Sequence, residues 1–303
     1  MQREFEGIAS LGITTGPYLK DPEAGFSTIN WLNQHGYDLS LELYPFHTPR
    51  ILSKMGSLIG GGNGKLPIPA AVDPQVLEDW KLFYPDARVT QLHLPFAYDF
   101  SQAVHWAAFL GKDSPLSNIH HLAHMVCFGW ATDGRVERVV EAIGNPDLVL
   151  NVHPEVAWKA LAKGKLDRLT GLGKVAIEDT TNPPLTFKIL AENELDLGFT
   201  LGLDHPDHLE TVGLSVAKVL KDEGVRRHTT AIHLAGPSHG KLSSHDLAAR
   251  GILEELAATP FDHPVTAYLD LHPSTLVGMN IQEELEFWQR QLDFIKSTQP
   301  QLD

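Results

Sequence analysis

Short apolar, β-branched runs recur along the whole chain. They read "GIASLGITT" (7–15), "LSLELYPF" (39–46), "RVTQLHLPF" (88–96), "DLVLNVHP" (147–154), "KVAIEDTT" (174–181), "LGFTLGLDH" (197–205), "TTAIHLAG" (229–236) and "VTAYLDLHP" (265–273). Their near-continuous apolarity is that of strands covered on both faces, as in a parallel sheet. Between them lie segments of helical period, "RVERVVEAIG" (135–144), "SVAKVLKDEGV" (215–225) and "HDLAARGILEELAA" (245–258), and the chain closes with "IQEELEFWQRQLDFIK" (281–296). Gly224 is placed to stop the second of these helices. Eight strands alternating with helices predict an α/β protein, a (β/α)8 TIM barrel forming a single domain over residues 1–303. The competing architecture, a doubly wound open sheet, is disfavoured because no G-x-G-x-x-G follows the first strand.

Two connections are long. Residues 51–80, with "GSLIGGGNGKLPIPAAVDP", form a Gly- and Pro-rich insertion after strand two, read as a lid or a plain surface loop. Its glycines lack the G-K-[ST] ending of a phosphate loop. Residues 97–130 carry His105, His120, His121 and His124 and read as helical packing with a role in covering the pocket. No internal repeat stands out.

Composition narrows the function classes. Of 303 residues, 43% are hydrophobic and 20% charged, enough for one large core. No window approaches the roughly 18 consecutive apolar residues of a membrane span. The start "MQREFEGIAS" lacks a signal-peptide pattern, and Cys127 stands alone. Together these predict a cytoplasmic protein with no membrane partner. The net charge of −14 disfavours a nucleic-acid partner, whose usual footprint is a basic surface.

Active sites of such barrels sit at the C-terminal ends of the strands, and here those ends are consistently polar. Strand two ends near Glu42 and His47, strand three at His93, strand four at His153 and strand five at Glu178 and Asp179. Asp204 and His205, with His208 just beyond, end strand six; His233 ends strand seven; Asp270 and His272 end strand eight. Any one of these residues alone reads as a structural histidine or a helix cap. Seven successive polar strand ends point instead to a divalent metal of the Mn, Zn or Co type, for which carboxylates and imidazoles are the fitting ligands.

Segment by segment the chain resembles the xylose isomerase-like TIM-barrel superfamily, which includes sugar isomerases and epimerases and the endonuclease IV-like AP endonucleases (family 2). The resemblance spans all eight strands, though each motif is short. It implies metal ligation by Glu178 in "VAIED", Asp204 in "TLGLDH", His233 in "AIHLAG" and Asp270 in "AYLDLH". "VLNVHPE" and "QLHLPF" resemble nuclease-branch segments and imply His153 and His93 as further ligands, and "SSHDLAARG" does so for His245. His205, His208 and His272 complete the set of additional metal or substrate contacts. Three departures stand out: Ser243 replaces an aspartate of that branch, Asp270 replaces the usual glutamate, and Asp207 occupies the third step of the strand-six motif. With Glu210, Asp207 reads as a capping box for the helix through "LETVGLSVAKVL".

The resulting expectation is a divalent-metal-dependent sugar isomerase or epimerase acting by proton transfer on an α-hydroxy-carbonyl substrate, with Glu178 and Asp270 as the catalytic pair. The alternatives are an endonuclease IV-like phosphodiesterase, with Arg50, Lys54 and Lys65 as phosphate contacts, and a non-catalytic metal- or sugar-binding barrel. A serine-hydrolase site at Ser238 or Ser243 lacks the G-x-S-x-G elbow. His239, in a Pro-Ser-His-Gly turn, reads as solvent-facing or supporting. The sequence leaves open which sugar, which metal and how many, whether His205 or His208 faces the site, and whether the protein forms an oligomer.

Overall fold

Each of the eight apolar runs forms one strand. The computed structural model describes residues 8, 10–18, 22–44, 88–94, 134–154, 157, 164, 166–180, 182–203, 206–236, 241–242, 247–259, 261–271, 275–276 and 278–298. The strands are β1 (Ser10–Thr14), β2 (Ser40–Leu43), β3 (Arg88–His93), β4 (Val149–Val152), β5 (Lys174–Asp179), β6 (Gly198–Gly202), β7 (Thr229–Leu234) and β8 (Thr266–Leu269). They close into a barrel in chain order. Every described pairing is parallel, with Thr14 opposite Glu42, Glu178 opposite Thr200, and His233 opposite Tyr268. The described α-helices are α1 (Pro22–Gln34), α2 (Gly134–Ile143), α3 (Leu166–Thr170), α4 (Pro183–Glu192), α5 (Pro206–Thr211), α6 (Val216–Lys221), α7 (Glu223–His228), α8 (Leu247–Ala258) and α9 (Ile281–Thr298). The insertion at 51–80 and the connection at 97–130 lie outside the described residues. Among the described residues no helix is long and apolar enough to cross a membrane.

The chain packs as two compact sets, residues 1–43, 84–91 and 176–303 in one, and 44–83 and 92–175 in the other. In the first, the strands bury Ile13, Leu41, Ile177, Phe199, Ile232 and Leu269, while α1 contributes Phe26 and Ile29, and α9 contributes Trp288 and Leu292. Tyr268 fills the interior and bonds Thr90 across 2.6 Å. Its ring lies where a side chain at position 12 would begin, so β1 passes it only as glycine. Tyr18, on a short 3-10 turn after β1, donates to Glu284 of α9 and accepts from Trp288 Nε1 at 2.8 Å, which fixes the chain's first turn to its last helix. In the second set, Leu92, Leu94, Leu150 and Val152 are buried, as are Val139 of α2 and Leu169 of α3. There the amide of Leu94 donates to the carbonyl of Asn151 at 2.7 Å.

Two local expectations are corrected. Gly224 does not end a helix. The segment 215–225 breaks at Asp222 (φ −72°, ψ 114°), whose side chain caps α7 by accepting from the amide of Val225. Gly224 sits inside α7 against the Phe187 ring, where a Cβ would collide. Asp207 is not a helix cap either. Helix α5 begins at Pro206, a residue suited to the first helical position, which puts Asp207 in the first turn. There its exposed carboxylate faces the positive end of the helix dipole. Gly213, at φ +75°, ends this segment before Ser215 caps α6, so "LETVGLSVAKVL" forms two short helices instead of one.

Candidate functional site

The first set of residues gathers four ionisable side chains from four strands. Glu42 and His233 are completely buried, while Glu178 and Asp270 are 7% and 8% exposed. They come from the C-terminal parts of β2, β5 and β7 and from the residue just past β8. His233 is the hub. Its Nε2 lies 2.7 Å from Glu42 Oε2, and its Nδ1 lies 3.3 Å from Glu178 Oε1 and 3.9 Å from Asp270 Oδ2. The Nε2 contact is short but bent, with the oxygen well off the line of the ring N–H.

Neutral polar groups fix the carboxylates. Gln91 Nε2 donates to Glu42 Oε1 and to Thr200 Oγ1, both at 3.1 Å, so its amide spans the interior from β2 to β6. Thr14 Oγ1 donates to Asp270 Oδ1 at 2.9 Å, which leaves Oδ2 on the His233 side. The backbone continues the sheet at this point, the Asp270 amide donating to the Leu234 carbonyl and the Thr15 amide to the Glu42 carbonyl, both at 2.9 Å. The strand-eight aspartate is therefore held in place from two sides despite its short side chain.

Burial works against charge on His233, but the Coulombic pull of Glu42, then of Glu178, outweighs it and holds the imidazole pKa well above its ordinary value. Three carboxyl groups thus converge on one imidazole.

The two residues at the end of β5 do different work. Glu178 faces His233. Asp179 accepts from the Asn182 amide at 2.9 Å and from Thr186 Oγ1 at 2.6 Å, which anchors the start of α4. His208, half-buried on α5, approaches Thr180 Oγ1 through Nδ1 at 3.3 Å, just beyond the end of β5.

The second set carries its own pair of histidines. His93, at the end of β3, is fully buried and stacks on Tyr44 with ring centroids 4.3 Å apart. Its Nδ1 lies 3.0 Å from the Leu94 carbonyl. The ring of His153, just past β4, is 5.3 Å from that of His93. The His153 carbonyl accepts from the Ala157 amide at 3.1 Å.

Of the sequence-predicted site residues, Glu178, His233 and Asp270 come together, His93 and His153 pair, and His208 sits by Thr180. Asp204, His205, His245 and His272 lie outside the described residues, as do His47, His239 and Ser243. Sequence reasoning noticed Glu42 only as a polar strand end and gave it no role; it passed over Gln91, Thr14 and Thr200. One signal was present: a carboxylate within the buried run "LSLEL" has to be paired.

No protein-family model and no curated protein matches the sequence. Solved structures do. A D-psicose 3-epimerase from Clostridium cellulolyticum H10, determined with D-tagatose, aligns with TM-score 0.54 and 10% identity, covering 95% of this chain and 99% of that one. A xylose isomerase domain protein from Planctomyces limnophilus aligns with TM-score 0.53 and 11% identity, over 96% and 97% of the two chains. An IOLI protein with a bound zinc atom aligns with TM-score 0.50 and 13% identity, over 97% and 100%. At such identities the likeness is one of fold, a closed eight-stranded parallel α/β barrel.

Proposed function

We propose that this protein is a divalent-metal-dependent isomerase or epimerase of a small carbohydrate. The observation that carries this reading is the approach of Glu178 and Asp270 to one nitrogen of the buried His233. Three carboxylates held close in a region of low dielectric are costly unless a cation offsets them. Oxygen and imidazole donors suit Mn, Zn or Co. Asp204, which the family resemblance adds, would complete the set. Two of the solved structures of this fold are a sugar epimerase and a protein with a bound zinc atom.

When bound, the metal supplies Lewis acidity toward two adjacent oxygens of an α-hydroxy-carbonyl substrate. The chain's own residues carry the proton. Ionised Glu178 takes it from the carbon beside the carbonyl, and Asp270, already protonated, donates a second proton to the other side of the resulting enediolate, after which exchange with water resets both carboxyls. Thr14 holds Asp270 Oδ1, so the donating oxygen is fixed in direction. His208, beside Thr180 just past β5, would contact a substrate hydroxyl in this reading.

The test is proton exchange. Metal-reconstituted protein incubated with a panel of ketoses in D₂O should place deuterium at the carbon next to the carbonyl of at least one sugar, as read by mass spectrometry. No incorporation across the panel with Mn, Co and Zn would remove this reading.

The pairing of His93 with His153 favours a second reading, metal-dependent phosphodiester cleavage, because proton transfer alone needs fewer histidines. The net charge of −14 weighs against it. Cleavage of an abasic oligonucleotide in Zn or Mn would establish it, and an uncut oligonucleotide would exclude it.

A further inference from the structure

We propose that Glu42 is a positioning residue that orients the His233 ring, turning Nδ1 and not Nε2 toward Glu178 and Asp270. This rests on the reading of that cluster as a metal centre. The two ring nitrogens face different surroundings. On the Nε2 side stands the Glu42 carboxylate, at 2.7 Å; on the Nδ1 side stand Glu178 Oε1 at 3.3 Å and Asp270 Oδ2 at 3.9 Å. The two faces divide the labour. Nε2 lies against an internal carboxylate, and Nδ1 is presented to the carboxylates that would share a cation with it.

Glu42 is itself held rigidly enough to impose this choice. Its Oε1 accepts from Gln91 Nε2, which also reaches Thr200 Oγ1, so a chain of polar groups runs Thr200, Gln91, Glu42, His233 from β6 through β3 and β2 to β7. Its backbone carbonyl is fixed by the Thr15 amide. A carboxylate with no exposed surface, inside a strand of leucines, is an expensive feature for a residue with no task beyond packing. A metal-binding histidine that donates its other N–H to a carboxylate is fixed in tautomer and ring orientation and made a better donor. Glu42 does not touch the reacting atoms; it acts through His233.

The experiment uses the full chain labelled with ¹⁵N-histidine, metal-free and loaded with zinc or cadmium-113, together with Glu42→Gln and Glu42→Ala. In the wild type, long-range ¹H–¹⁵N spectra should place metal on His233 Nδ1 and the proton on Nε2. Glu42→Gln keeps an acceptor and should keep that nitrogen assignment, with zinc affinity by chelator competition lowered by roughly tenfold; Glu42→Ala should lower it by up to about 100-fold and lose the single orientation. The conservative variant thus separates orientation from mere folding. Metal on Nε2 in the wild type, or unchanged affinity and His233 signals in Glu42→Ala, would overturn the proposal. If no metal binds at all, the metal reading fails, and the metal-free spectra decide this one. A slowly exchanging, downfield Nε2 proton that disappears in Glu42→Ala upholds the positioning role, and its absence in the wild type refutes it.

Discussion

Replacing His233 by alanine should be far more damaging than the loss of one imidazole suggests, because it leaves Glu42 as a buried charge without its cationic partner. Both residues have no exposed surface, and the ion pair is 2.7 Å long. Gln91 would still donate to one carboxylate oxygen, which softens the loss by a single hydrogen bond. Breaking a buried pair by removing one member costs about 3–5 kcal/mol, most of it the desolvation of the charge left behind. At roughly 1.4 kcal/mol per tenfold, that is about two to three and a half orders of magnitude in the folding equilibrium. The same logic predicts a rescue. Adding Glu42→Gln removes the stranded charge, so the double variant should regain about 1 kcal/mol or more over His233→Ala alone, although Glu42→Gln destabilises the otherwise intact protein. The assay is urea unfolding followed by tryptophan fluorescence, in EDTA so that bound metal contributes nothing. A His233→Ala cost below about 1 kcal/mol, or a double variant no more stable than the single, would refute the claim that this pair is held by charge inside the barrel.

Three further outcomes are expected. Thr14→Val removes the donor to Asp270 Oδ1 and should cost only about 1 kcal/mol of stability by thermal unfolding, while lowering deuterium exchange into substrate at least tenfold; equal activity would separate Asp270 from the chemistry. Gly224→Ala improves intrinsic helix propensity by about 1 kcal/mol, yet its methyl would meet the Phe187 ring, so urea unfolding should show a net loss of about 1–3 kcal/mol and not a gain. Burial, then the neighbouring Glu284 carboxylate, raises the Tyr18 pKa above the ordinary value of 10.0. Stability from its neutral form is therefore fully present below about pH 10 and lost as pH rises toward the folded value, so the stability of Tyr18→Phe should fall less steeply above that pH in denaturant titrations; an identical slope would deny the linkage.

The barrel was legible because parallel strands buried on both faces are written as near-continuous apolar runs, and all eight runs became strands. Their ends were legible too. A charged residue that terminates such a run has to lie at the rim, which is how Glu178, His233 and Asp270 could be picked out before any geometry was known. Helix boundaries were less legible. Gly224 has the residue type of a helix stop, but the cap belongs to Asp222, and the glycine answers to Phe187, a contact made across the fold. Asp207 and Glu210 have the spacing of a capping box, yet Pro206 starts the helix one residue earlier. The supporting residues of the site were hidden for a similar reason. Gln91 and Thr14 are ordinary strand residues until barrel closure brings Glu42 and Asp270 against them. Glu42 was visible as a polar residue in an apolar run, but its partner lies five strands further along the barrel.

The central claim is that the strand-end cluster holds a divalent metal. It is tested most directly by elemental analysis of the purified, metal-reconstituted protein against protein concentration, alongside Glu178→Gln, with far-UV circular dichroism confirming that the variant is folded. The account predicts at least one Mn, Co or Zn per chain in the wild type and a substantially reduced content in Glu178→Gln, since Glu178 is one of the two carboxylates that approach His233 Nδ1. No bound metal in the wild type, or the same content in the folded variant, would contradict it.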